Sequence, residues 1–138
     1  MGQHVEVCLF DTAVTLLAYF GSNYLASGKD FMRQGNTAPV ATPIGMFECG
    51  DGKAIYVSCG TQRSWENLAV AVLERPDLAS HPSYATHRAR NEHQAELMEL
   101  LGTVFRTASS DVWMERARRA KVPIGAVRSI AEAFTSPA

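Results

Sequence analysis

At 138 residues, 46% of them hydrophobic, the chain is long enough to bury roughly two-thirds of the surface its unfolded form exposes, which points to one globular domain and excludes disorder. Thirteen basic side chains stand against 14 acidic ones, so no global field favours nucleic acid or an anionic membrane, and a charged ligand must meet a local patch. The longest apolar stretch, Ala13 to Phe20, is too short to cross a bilayer. The amino terminus Met1-Gly2-Gln3-His4-Val5-Glu6 lacks the positive region and apolar core of a secretory signal, so a cytoplasmic location is the default expectation. Cys8, Cys49 and Cys59 are an odd number at wide spacing without CxxC pairing. They read as reduced, partly buried small hydrophobes.

In chain order, Val5, Val7 and Leu9 alternate with Glu6 and Cys8, which predicts a short strand with one buried face. Ala13, Leu16, Leu17, Phe20 and Tyr24 follow at helical spacing, with Gly28 as a left-handed stop and Gly21 as a point where the helix can weaken or bend. The stretch 29–43 carries Gly35, Asn36, Thr37, Pro39 and Pro43 without periodicity and reads as a loop, of a length that usually has a function. Ile44 to Glu48 and Ala54 to Ser58 flank an Asp51-Gly52 pair and predict an antiparallel hairpin.

Trp65, Leu68, Ala69, Val72 and Leu73 fall at i, i+3, i+4, i+7 and i+8, a helix with one apolar stripe that Pro76 stops. Glu92 to Phe105 repeats the pattern through Leu97, Leu100, Leu101, Val104 and Phe105, with a start that can reach back towards Thr86. Ser109 or Ser110 can cap a third helix, with Asp111 at its positive end, Arg116, Arg118, Arg119 and Lys121 towards the other, and Trp113, Ala117 and Ala120 inside. The run 122–127 is apolar but broken by Pro123 and Gly125, so it reads as an edge strand. A last helical turn, Ser129 to Phe134, follows. No repeat or linker divides these elements, so the expectation is a single α+β domain over 1–138. Residues 1–28 form its strand and linking helix and 29–138 its body, a small antiparallel sheet with several packed helices.

The order of motifs resembles a known family. Gly2-Gln3-His4-Val5-Glu6-Val7-Cys8-Leu9-Phe10-Asp11 is similar to the GQxVDVSLxD stretch of family III CoA-transferases, the CaiB/BaiF family. Arg33-Gln34-Gly35-Asn36 resembles their RxGN loop, and residues 51–57 resemble the DGxIxIA hairpin that precedes a helix beginning with tryptophan. His81-Pro82-Ser83-Tyr84, the Arg88, Arg90, Asn91 group, and Trp113 with residues 122–127 resemble the LAxDPRF, RxxN and WxxxLxxAGVPxGPV segments. The resemblance covers nearly all of this chain and only the small domain of the family.

What the resemblance implies is a reaction in which an aspartate carboxylate attacks an acyl-CoA thioester and the CoA passes to another carboxylic acid through an aspartyl-CoA intermediate, without a metal. Some relatives instead racemise the carbon beside the thioester. In the family the aspartate and most CoA contacts belong to a Rossmann-like domain upstream of the GQxVDVSL stretch, so the expectation is a truncated chain, inactive alone, with no catalytic residue of its own. Asp11, Asp30, Asp51, Asp77 and Asp111 each have a local reading as helix-start, turn or loop residues. No metal and no resident cofactor are expected, and CoA or acyl-CoA is the substrate of the intact family.

The candidate CoA-facing residues are Leu9, Arg33, Gly35, Asn36, Cys59 and Gln62, with the loop around Arg33, Gly35 and Asn36 as a lid or acyl-pocket wall. Thr61 and Gln62 read equally as helix caps, and Leu9 as core. His81, His87 and His93 recur every six residues, which turns a helix by about 600° and sends the rings to different faces. The arginines at 88, 90, 116, 118 and 119 read as a solvated, salt-bridged surface rather than a phosphate site. Expected partners are a second copy or the missing Rossmann-like domain, and acyl-CoA, with no nucleic acid and no membrane. The alternatives are a stand-alone acyl-CoA or small-molecule binding module, and one subunit of a split enzyme.

Overall fold

The hairpin forms where alternation and turn chemistry predict it. In the computed structural model, which describes residues 2–135, Ile44–Glu48 (β1) and Ala54–Ser58 (β2) pair antiparallel with Ile44 opposite Ser58 and Glu48 opposite Ala54. Phe47, Ile55 and Val57 point inward and are buried, while Met46 and Tyr56 face out, the period-two pattern of a half-buried sheet. Ile124–Ala126 (β3) adds to the other side of β2, giving a three-stranded antiparallel sheet in the order β1-β2-β3 among the described residues. Pro123, which lacks the ladder donor, sits just outside this short edge strand.

The chain divides into two compact units between Arg33 and Gln34. In the first, residues 2–8 carry no regular structure, which corrects the strand expected at Val5 to Leu9. Alternation makes a strand only beside a hydrogen-bonding neighbour, and no described strand pairs with these residues. The helix expected from Ala13 to Gly28 is two helices, Leu9–Thr15 (α1) and Tyr19–Ser27 (α2). The break falls at Leu16 to Ala18 rather than at Gly21. Leu17 and Ala18 make tightened i to i−3 bonds to Val14 and Thr15, and Ala18 turns to φ 46. The Thr12 and Thr15 hydroxyls donate to carbonyls four residues back, a habit that bends helices. Gly28, at φ 67, ends α2 as predicted. No described side chain of this unit is buried, which also corrects the burial expected for Cys8.

The second unit holds the core. Gln62–Asn67 (α3) runs into a π-helical turn, Leu68–Val72. Trp65, Leu68, Ala69, Val72 and Leu73 are all buried, so the predicted stripe stands although the helix gains a wide turn. The helix ends at Leu73 with Glu74 at φ 56, and Pro76 opens the next helix, Pro76–Ser80 (α4), at its first turn, where a missing N–H costs nothing.

Thr86 accepts from the Ala89 N–H and starts a separate short helix, His87–Glu92 (α5), before Gln94–Phe105 (α6). Ser110–Ala120 (α7) packs Trp113 and Ala117 inward. Ser109 stands at its N-cap position without a side-chain bond. The Asp51 carboxylate accepts instead from the Ser110 N–H at 3.0 Å and hydroxyl at 2.7 Å, joining the hairpin turn to α7. Phe105 joins the layers, with ring centroids 4.9 Å from Phe47 and 5.3 Å from Trp113, whose indole N–H donates to the Phe105 carbonyl at 2.8 Å. Ser129 and Glu132 cap the last helix, Ile130–Thr135 (α8). Among the described residues no helix is long and apolar enough to cross a membrane.

Candidate functional site

The site grows from the two segments that carry most of the predicted residues, the strap 34–43 and the loop between β2 and α3. The strap has no regular structure, yet side-chain hydrogen bonds hold it to the body at three points. The Asn36 amide donates to the Met46 carbonyl at 2.6 Å and accepts from the Met46 N–H at 2.7 Å, taking the place of a neighbouring strand along the outer edge of β1. Such an approach leaves no room beside β1: a Cβ on Gly45 would stand 2.5 Å from the Asn36 carbonyl oxygen and 2.7 Å from the Met98 methyl, so glycine is required there. Further along, the Gln94 amide donates to the Ala38 carbonyl and, at 2.8 Å, to the Thr42 hydroxyl.

The third fastening is Arg90, which is fully buried. Its Nε–H donates to the Thr42 carbonyl at 2.9 Å, and Nη1 donates to Gln62 Oε1 and the Tyr84 carbonyl, each at 3.0 Å. The guanidinium lies 5.2 Å from the Trp65 ring centroid, where the π face offers some electrostatic return for its burial. Nη2 has no acceptor among the described residues. Burial pulls the guanidinium's pKa down, with Cys59 and Glu66 acting in the opposite direction. One side chain thus ties together the end of the strap, the start of α3 and the turn before α5.

The loop between β2 and α3 turns its predicted residues towards this hub. Thr61 is the N-cap of α3 in a reciprocal box with Ser64. Gln62 spends its carbonyl on Arg90 and its amide on the Ala85 carbonyl and Glu66. Cys59 is buried, its thiol pushed up to about 12 chiefly by that burial. Cys49 is likewise raised to about 11. Both thiols therefore remain protonated near neutral pH and lack nucleophilic character. Tyr84, also buried, donates to Glu96 at 2.6 Å and is raised to about 12.

The structure therefore gathers Cys59, Gln62 and the Thr42 end of the strap around Arg90, and places Asn36 at the β1 edge with Gly35 beside it at φ 59. Leu9, 85% exposed at the start of α1, and Arg33 lie in the other unit. His81 stacks on Tyr84 and accepts from the Ser83 N–H, while His93 Nδ1 lies 3.0 Å from the Ala89 carbonyl.

Arg90 corrects the expectation of a solvated surface for the arginines. Arg88 pairs with Glu92 and Arg118 and Arg119 pair with Glu115 on the outside, as that reading requires, but Arg90 is core. Its phase held the signal: Arg90, Leu97 and Leu101 fall at i, i+7 and i+11, one helical face. Gln94 shares that phase. Nothing in the sequence around Gly45 marked it as more than a strand residue.

Comparison with known proteins gives a consistent answer. A family model described as CoA-transferase family III matches residues 1–138. The succinyl-CoA–L-malate CoA-transferase alpha subunit of Chloroflexus aurantiacus is 33% identical over 137 residues, covering 96% of this chain and 31% of that protein. A succinyl-CoA–D-citramalate CoA-transferase of Chloroflexus aurantiacus is 28% identical over 136 residues, 99% of this chain and 34% of the relative. A CaiB/BaiF family crystal structure from Brucella suis superposes with a TM-score of 0.78 at 32% identity, covering 99% of this chain and 35% of that one. The chain spans about a third of the length of these relatives.

Proposed function

This chain belongs to CoA-transferase family III, and we propose that it supplies the small-domain wall of an enzyme that moves CoA between carboxylic acids through an aspartyl-CoA intermediate. The observation that carries the reading is the clamped pair of segments around Arg90, a preorganised arrangement whose one cysteine, Cys59, is held protonated. Such an arrangement can position and desolvate a thioester but cannot attack it. The attacking carboxylate belongs, on this reading, to the two-thirds of the relatives that the chain does not match. That aspartate would add to the thioester carbonyl and expel CoA thiolate. The thiolate would then attack the aspartyl side of the resulting anhydride, free the first acid and leave CoA on the aspartate for the incoming acid.

Within this reading the CoA-facing positions are Leu9, Arg33, Gly35, Asn36, Cys59 and Gln62. Gly35 would meet the ligand through its backbone. Asn36, Cys59 and Gln62 act by fixing the segments they sit in, because their side chains are already engaged. The acids in the two relatives' names, malate and citramalate, are dicarboxylates, and we extend that class to this chain's enzyme. Leu9, Phe10, Leu16 and Leu25 are exposed, an apolar surface that a second copy or the family's Rossmann-like domain would cover. A cytoplasmic setting fits the same picture.

The test is a CoA-transfer assay with succinyl-CoA and L-malate. The purified chain should give no turnover alone, and should restore turnover when mixed with a polypeptide supplying the rest of a family member. Enzymatic turnover by the chain alone overturns the proposal. A second reading, a stand-alone acyl-CoA binding module, draws support from the complete core of residues 34–135. Saturable heat on titrating CoA into the chain, with no effect of any complementing polypeptide, would favour it.

A further inference from the structure

Beside the loop that feeds α3, and lined in part by its Gly60 and Thr61, lies a cleft of about 690 Å³. Its volume is within the range of small-molecule sites. It runs between the start of α3 and the turn after α7, and the Asn67 amide ties its two walls by donating to the Ala120 carbonyl at 3.2 Å. Arg63, Arg119 and Lys121 line it together with Ser58, and no acidic residue does. In a chain whose net charge is −1, three cations around one concavity are a local field of a single sign.

The three are not equivalent. Arg119 gives its Nε–H to Glu115 at 2.7 Å, a carboxylate that also holds Arg118 and lies outside the cleft. Arg63 and Lys121 pair with no carboxylate among the described residues, and no described residue takes the Ser58 hydroxyl. Lys121 also stands at φ 55, a left-handed position after a helix where glycine is the unstrained choice. The lysine held there lines the cleft.

We infer that this cleft is an anion-binding subsite for the carboxylate of a small acid, with Arg63 and Lys121 as its cations and the Ser58 hydroxyl as a neutral donor. That the acid is a dicarboxylate, whose non-reacting end would sit here, rests on the function proposed above; the cleft's preference for an anion does not. Open to solvent and screened by salt, such a site should bind on the order of millimolar and weaken as ionic strength rises.

The experiment follows backbone amide shifts of the isotope-labelled full chain during titration with succinate, with inorganic phosphate and with CoA. It compares the wild type with Arg63→Ala, Lys121→Gly and, as a distant control, Lys53→Ala. Lys121→Gly should fold at least as well as the wild type, because glycine adopts the left-handed backbone freely. The inference predicts saturable succinate shifts at residues 58–64 and 119–123, weakened at least about fivefold in both cleft variants and unchanged in Lys53→Ala. Tighter saturation by phosphate than by succinate would overturn the carboxylate assignment and point to the phosphates of CoA. No saturation by any of the three, or equal affinities in all variants, would overturn the site. CoA shifts at 35–36, 59 and 62, with the cleft residues 60–61, 63–64 and 119–123 silent to every ligand, would sink this inference and leave the proposed function standing. Succinate binding in the cleft without restored transfer in the complemented assay would do the reverse.

Discussion

Arg90 shows how much one buried cation can organise. Its three bonds to neutral acceptors exchange hydration for fixed geometry, and an acceptor left unpaired in the interior costs about 1–3 kcal/mol. Arg90→Lys keeps the charge but replaces a planar fork by a single ammonium that cannot reach the Thr42 carbonyl, the Tyr84 carbonyl and Gln62 together. Urea unfolding should therefore show a loss of about 3 kcal/mol for Arg90→Lys, with Arg88→Lys, an exposed pair, close to neutral. Asp51 offers a pH-dependent test. Its carboxyl is held below its ordinary pKa by the Ser110 hydroxyl and N–H, so its contribution is complete above about pH 4 and fades as pH falls through the lowered value. Asp51→Asn should lower the melting temperature at pH 7, and the two proteins should converge in strong acid.

At the scale of elements, the β1 edge is sealed by a side chain rather than a strand, and the seal depends on a missing Cβ. Gly45→Ala should cost about 1–3 kcal/mol by overpacking against the Asn36 carbonyl. Amide exchange at Met46 should rise with it, because that N–H loses its partner. The hairpin itself was legible in the sequence because alternation and an Asp-Gly turn are local signals. So was the Trp65 stripe, since its period survives one wide turn. The break at Ala18, the break at His93 that separates α5 from α6 and the π turn were not, because periodicity reports which face is apolar and says little about where hydrogen bonding slips. At the site, the sequence identified the strap and the α3 loop as segments worth attention. It did not show which groups Asn36 and Gln62 hold, because a polar side chain that satisfies backbone looks the same in a sequence as one that awaits a ligand.

For the whole molecule, the decisive feature is the uneven distribution of burial. Among the described residues every buried hydrophobic side chain lies at Ala41 or beyond, while α1 and α2, of 7 and 9 residues, are too short to persist as isolated helices. Limited proteolysis in the stretch 29–34 should therefore leave a body from about residue 34 that melts cooperatively at nearly the temperature of the intact chain. The released amino-terminal fragment should lose its circular dichroism signal. A body that unfolds on cleavage would show that the two units share their stability. The same imbalance bears on biosynthesis. Within this stretch of chain a ribosome delivers Leu9, Phe10 and their neighbours before the core that follows Ala41, so these apolar side chains stay exposed while that core forms, a natural place for a chaperone to hold.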